Sequence, residues 1–167
     1  MKRLFSAFFV MILLFSFLTT ASASTPEPSR TQVHVLLNNA SATQGKLCCW
    51  NPYSKTAVSK ALNKYFTNGF IDTFFSERME FYGIGKSGLL YNTILPTDNM
   101  FMFLTDFSWS SDTKVSYLRA GKYKYIRISE FVYNEMDGNN TYTVTLIKAI
   151  DSAQPYKILS IDRAYEE

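Results

Sequence analysis

Between Thr113 and Ser129 the chain carries Lys114, Arg119, Lys122, Lys124 and Arg127 and no acidic residue, with Tyr117, Tyr123 and Tyr125 set among them. Clustered cations attract anions through a field that reaches about one Debye length, roughly 8 Å in physiological salt. A phenol ring adds a flat apolar face and one hydroxyl. The run therefore reads as a contact surface for an anionic partner. Lys122, Lys124 and Arg127, with Tyr123 and Tyr125, are the expected binding residues.

Residue types that catalyse are scarce. His34 is the single histidine, so a Ser–His–Asp or Cys–His arrangement would have to recruit it. Set between Val33 and Val35 near the start of a helical segment, it reads as a packing or surface residue. Cys48 and Cys49 adjoin and are the only cysteines. A bridge between neighbours closes a strained ring and hardly restricts the unfolded chain, so they are no disulfide framework. Soft metal ligands are too few for a structural zinc site, and no metal or other cofactor is expected. Gly85-Lys86-Ser87 ends like a phosphate-binding loop, but the full pattern needs glycine at position 80, where Glu80 stands. Asp137-Gly138-Asn139-Asn140 lacks the later bidentate glutamate of a calcium loop and reads as a turn. An enzyme built on this chain would have to use acids such as Asp72, Asp106 or Glu130, two of them close enough to raise one pKa. The aromatic set Phe74, Phe75, Phe101, Phe103, Phe107 and Trp109 suits a cavity lining or a filled core.

The elements that position these residues begin after a leader. Met1-Lys2-Arg3 precedes the uncharged apolar run Leu4–Leu18 and the small residues Thr19-Thr20-Ala21-Ser22-Ala23. The apolar run is shorter than the roughly 20 residues of a spanning helix. A basic end, an apolar core and a small-x-small tripeptide make residues 1–23 a signal peptide cleaved after Ala23. The mature chain is thus expected to be secreted, extracellular or cell-wall associated, with no membrane span left after cleavage. Without Lys2 and Arg3 the basic and acidic residues nearly balance, so net charge makes no case for a nucleic-acid partner.

Residues 24–29, with Pro26 and Pro28, read as an extended, mobile linker. Residues 30–167 read as a single α+β domain. Ser29 and Gln32 fit a capping box, and the apolar spacing from Val33 to Leu47 predicts a first helix over residues 30–47. Ser54 starts a second helix carrying Val58, Leu62 and Phe66, and a third stretch carries Phe70, Ile71, Phe74, Phe75 and Met79. After residue 80 the period shifts, with Gly83, Gly85 and Gly88 in bends. Strands are expected over 89–94, 100–109, 115–118, 123–133, 141–150 and 156–161. Tyr142, Val144 and Leu146 alternate with Thr141, Thr143 and Thr145, which predicts a sheet with one buried and one wet face. Helices followed by strands suggest an antiparallel sheet of about four to six strands curved over the amino-terminal helices.

Two stretches resemble known families. Leu36-Leu37-Asn38, Ala42-Thr43-Gln44 and Leu62-Asn63-Lys64-Tyr65-Phe66-Thr67 with Phe70 resemble the opening of small uncharacterised secreted proteins of Gram-positive bacteria. Tyr142-Thr143-Val144 through Tyr156-Lys157-Ile158-Leu159 resembles the last strands of nuclear-transport-factor-2-like (cystatin-like) domains. The resemblance implies a cone, a curved antiparallel sheet around one long helix, often with an internal pocket. It carries over no catalytic motif. The combined reading is a secreted, non-enzymatic binding or regulatory domain, a monomer or weak dimer. Its expected partner is an anionic cell-wall polymer or another envelope protein. The alternative is a pocketed small-molecule carrier or a histidine-poor enzyme.

Overall fold

A computed structural model describes residues 26–47, 51–86, 88–93, 107–133 and 139–165. Residues 1–23, Cys48, Cys49, Phe101, Phe103, Asp106 and most of the turn around Asp137 lie outside the described residues.

Each helix opens on a hydroxyl cap. Helix α1 spans Arg30–Gly45. The Gln32 amide donates to Ser29 Oγ at 3.3 Å and the Ser29 amide donates to Gln32 Oε1 at 2.8 Å, the expected capping box. Helix α2 spans Lys55–Leu62, with the Ala57 amide donating to Ser54 Oγ at 3.2 Å. Helix α3 spans Asn68–Arg78, with the Phe70 amide donating to Thr67 Oγ1 at 3.3 Å. Such a cap contributes roughly 1 kcal/mol by satisfying an amide the helix leaves orphaned. The sequence Thr67-Asn68-Gly69 interrupts the helical pattern because it is a helix start.

At Met79 the backbone turns from helical to extended (φ −123°, ψ 128°). Strand β1, Met79–Gly85, pairs antiparallel with β2, Gly88–Thr93. Gly85 thus ends a hairpin strand, with Lys86 in the turn after it, and Ser87 lies outside the described residues. Residues 79–85 were expected as a helix end and bends. They carry no alternation to betray a strand, because Phe81, Tyr82 and Ile84 are 60%, 62% and 80% exposed. Tyr53 joins the β2 edge through paired amides and carbonyls at Tyr91, 2.8 and 2.9 Å.

The second sheet is a meander of β3 (Lys114–Ala120), β4 (Tyr123–Val132), β5 (Asn140–Ala149) and β6 (Lys157–Tyr165), in sequence order and antiparallel throughout. Gly121 adopts φ 55° at the first position of the two-residue β3–β4 loop, the left-handed conformation such loops demand. The β6 edge is stitched to the helical half: the Thr67 amide donates to the Ile158 carbonyl at 3.0 Å, and the Ile158 amide to the Tyr65 carbonyl at 2.7 Å. Phe107–Trp109, expected at the end of a strand, is not in one, and Trp109 itself sits at φ 55°.

Ile126, Ile128, Val144, Leu146 and Ile158 line the sheet face that meets the helices. They share one buried cluster with Val33, Leu37, Val58, Leu62, Phe70 and Phe74. Among the described residues the fold is α+β, three helices followed by antiparallel sheets of two and four strands, with the helices against the larger sheet as the residue pattern implied.

Candidate anion-binding surfaces

Strand β4 carries most of the basic, tyrosine-rich run, and a strand sends successive side chains to opposite faces. Tyr123, Tyr125 and Arg127 therefore point away from the helices, whereas Lys124 lies on the core face with Ile126, Ile128 and Glu130. Burial agrees: Arg127 is exposed and Lys124 is only 4% exposed. Lys122 is exposed in the β3–β4 turn. The five expected contact residues do not form one surface. Lys124 leaves the outer patch because the period of two carries it through the sheet.

The outer patch is extended by its neighbours in register. Tyr125 lies opposite Leu118 on β3 and Ile147 on β5, Tyr123 opposite Ala120 and Ala149, and Arg127 opposite Ser116 and Thr145. Leu118 is 56% exposed. The Tyr123 and Tyr125 rings stand 6.4 Å apart, and the Lys122 ammonium lies 5.7 Å from the Tyr123 ring centre. The result is a flat aromatic and aliphatic strip with a cation at each end.

On the core face, Arg119, Lys124 and Lys148 are register partners across β3, β4 and β5, a row of three cations. The segment before α1 meets this row. The Glu27 carboxylate lies 3.8 Å from the Arg119 guanidinium, and the Tyr117 hydroxyl donates to the Pro28 carbonyl at 2.7 Å. The Lys148 ammonium lies 5.9 Å from the Tyr156 ring centre. Burial and the Glu27 charge push the Tyr117 phenol above its ordinary pKa. Burial, Glu27 and Tyr117 do the same for Tyr156, with Arg119 pulling the other way. Both phenols therefore keep their protons at neutral pH. Sequence reasoning missed Glu27, Lys148 and Tyr156. Glu27 sits in a stretch that reads as linker, and the other two lie more than twenty residues beyond the basic run.

Of the three candidate acids, Glu130 and Asp72 lie among the described residues. Glu130 is buried, and the Ser108 amide donates to both its oxygens at 2.9 and 3.0 Å, the Thr113 hydroxyl to one at 2.5 Å. Burial acts to raise its pKa. Hydrogen bonds from Thr113, Ser108 and the Trp109 amide outweigh burial and hold it below the usual glutamate range. A general acid needs the opposite shift. Asp72 is exposed, 3.7 Å from Lys55. His34 stacks on Trp109 with ring centres 4.4 Å apart, so its role is packing. Among the described residues no group of three or more His, Cys, Asp or Glu side chains is placed to hold a metal, and no helix is long and apolar enough to cross a membrane.

No curated protein and no solved structure matches the chain. A family described as protein of unknown function (DUF3993) matches residues 29–132, more than half of the chain, from the α1 cap to the end of β4, and the chain belongs to that family.

Proposed function

We propose that the protein is an exported, non-enzymatic binding domain that holds an anionic polymer of the cell envelope against the outer face of its four-stranded sheet. The observation that carries this reading is the strip of Lys122, Tyr123, Tyr125 and Arg127 on the face turned away from the helices. Export rests on the signal-peptide pattern of residues 1–23. The resemblance to secreted proteins of Gram-positive bacteria supports an envelope partner. The chemistry suits a polymer with sugar rings and regular negative charge. Tyrosine faces stack on the apolar faces of rings, and a guanidinium takes two oxygens of a phosphate or carboxylate at once. Exposed ion pairs contribute only about 0.2–1 kcal/mol each, so retention comes from several contacts along a chain.

The test is co-sedimentation with cell-wall fragments that carry or lack their anionic polymer. Lys122→Gln combined with Arg127→Gln is expected to weaken retention by roughly fivefold, as about 1 kcal/mol implies. Equal retention of parent and double variant, or equal retention on stripped fragments, overturns the proposal.

A further inference from the structure

From the cation row, the cavity beside it and the carboxylate that reaches it, we infer that the core face of the sheet holds a second binding site. Its ligand is a small amphipathic carboxylate, and Glu27 occupies the head-group position when the site is empty. The inference is independent of the outer-face reading. Between the α1 side and the sheet is an open-mouthed cavity of about 340 Å3, toward the small end of ligand sites. Val33, Ile126 and Leu146, each at most 1% exposed, form its apolar floor beneath the half-buried Leu36, and Lys148, Tyr156 and Glu27 line its polar part. Apolar walls with a few convergent polar groups are the general form of a small-molecule site.

Three features select the ligand class. Arg119, Lys124 and Lys148 adjoin across three strands on one face, and such a concentration of positive charge attracts an anion. The protonated Tyr156 phenol belongs to the same end and offers a neutral donor, whereas the Tyr117 hydroxyl is committed to the Pro28 carbonyl. The carboxylate that meets this end comes from the chain itself, on the short proline-flanked segment ahead of α1. The Glu27–Arg119 pair is long, at 3.8 Å, with side chains 39% and 56% exposed respectively, and such pairs hold weakly. A free carboxylate with an aliphatic tail would replace the Glu27 charge and also lay its tail against Leu36 in the cavity, which Glu27 cannot do.

Decanoate is the probe, decanol its uncharged control, and titration calorimetry the readout. The protein is recovered from the full chain and tagged at its carboxyl end, so that Glu27 keeps its surroundings. Decanoate is expected to bind at least about tenfold tighter than decanol, the worth of one well-placed charge contact. Glu27→Gln removes the competing carboxylate and is expected to tighten decanoate binding about two- to fivefold. Lys148→Gln is expected to weaken it by a similar factor. Leu36→Trp fills the apolar part and is expected to abolish binding, which keeps the test decisive if the Lys148 variant fails to fold. No decanoate binding, decanol binding equally well, or weaker binding by Glu27→Gln overturns the inference. Lys122→Gln with Arg127→Gln is expected to leave decanoate binding unchanged, and a loss there overturns the separation of the two sites.

Discussion

Glu130 shows how much one buried carboxylate organises. It collects the Ser108 amide, the Trp109 amide and the Thr113 hydroxyl, which fastens the 107–113 segment to the sheet. That fastening holds Trp109 at φ 55°, where it stacks on His34 and lies under the Arg30 guanidinium at 5.9 Å. The folded-state pKa lies below the unfolded value of about 4.3. The stabilisation is therefore complete above that value and is lost as pH falls through the lower folded value. Glu130→Gln sets an amide donor against the backbone donors and is expected to cost ~1–3 kcal/mol at neutral pH. Urea unfolding from pH 7 to pH 3 checks both statements: the parent loses this stability in acid, and the variant lacks that component throughout. From sequence, Glu130 was one of three candidate acids. Its anchoring role was not legible, because its donors lie about twenty residues upstream in an irregular segment.

At the scale of elements, legibility followed burial. α1, α2, β4 and β5 were readable because each buries one side, leaving a period of 3.6 or 2 in its apolar residues. Ser29 and Ser54 were recognisable as caps for the same reason, since an apolar periodic run follows each. Thr67 was read as an interruption, although a cap is also where a helical period restarts. Thr67→Ala is expected to cost about 1 kcal/mol, seen as a lower urea midpoint with unchanged slope. β1 stayed hidden because three of its large apolar side chains are exposed, so no period marks it. The basic run was visible as composition, but its division was a matter of register. Lys124→Gln is expected to weaken decanoate binding and leave cell-wall retention unchanged, while Arg127→Gln does the reverse. Calorimetry and co-sedimentation on the two single variants would show this crossover, and parallel losses in both assays would refute it.

For the molecule as a whole, a single sheet divides the chemistry. Helices cover one face, where the apolar rows of β4 and β5 end in the cation row. The other face keeps the threonines and the tyrosine strip. The fold class was legible because helical and strand periods occupy separate halves of the chain. The core-face site was not, because it is assembled from residues as distant as Glu27, Arg119 and Tyr156. Nothing in the spacing of any one stretch announces such an assembly.

The bond between the Tyr65–Thr67 segment and Ile158 carries a further meaning for how the chain folds. The meander closes from neighbouring hairpins, and the helices close from local turns. Both need little loop closure and can form early. The Phe66–Ile158 bridge joins residues far apart in the sequence and bears the entropy of a long loop. It can form only once the last strand has emerged. Until then Phe66, fully buried in the finished protein, has no lid, and the helical half keeps an open apolar side. The chain is thus committed late to its final shape, and its helical half stays open to wrong apolar contacts until the last strand docks.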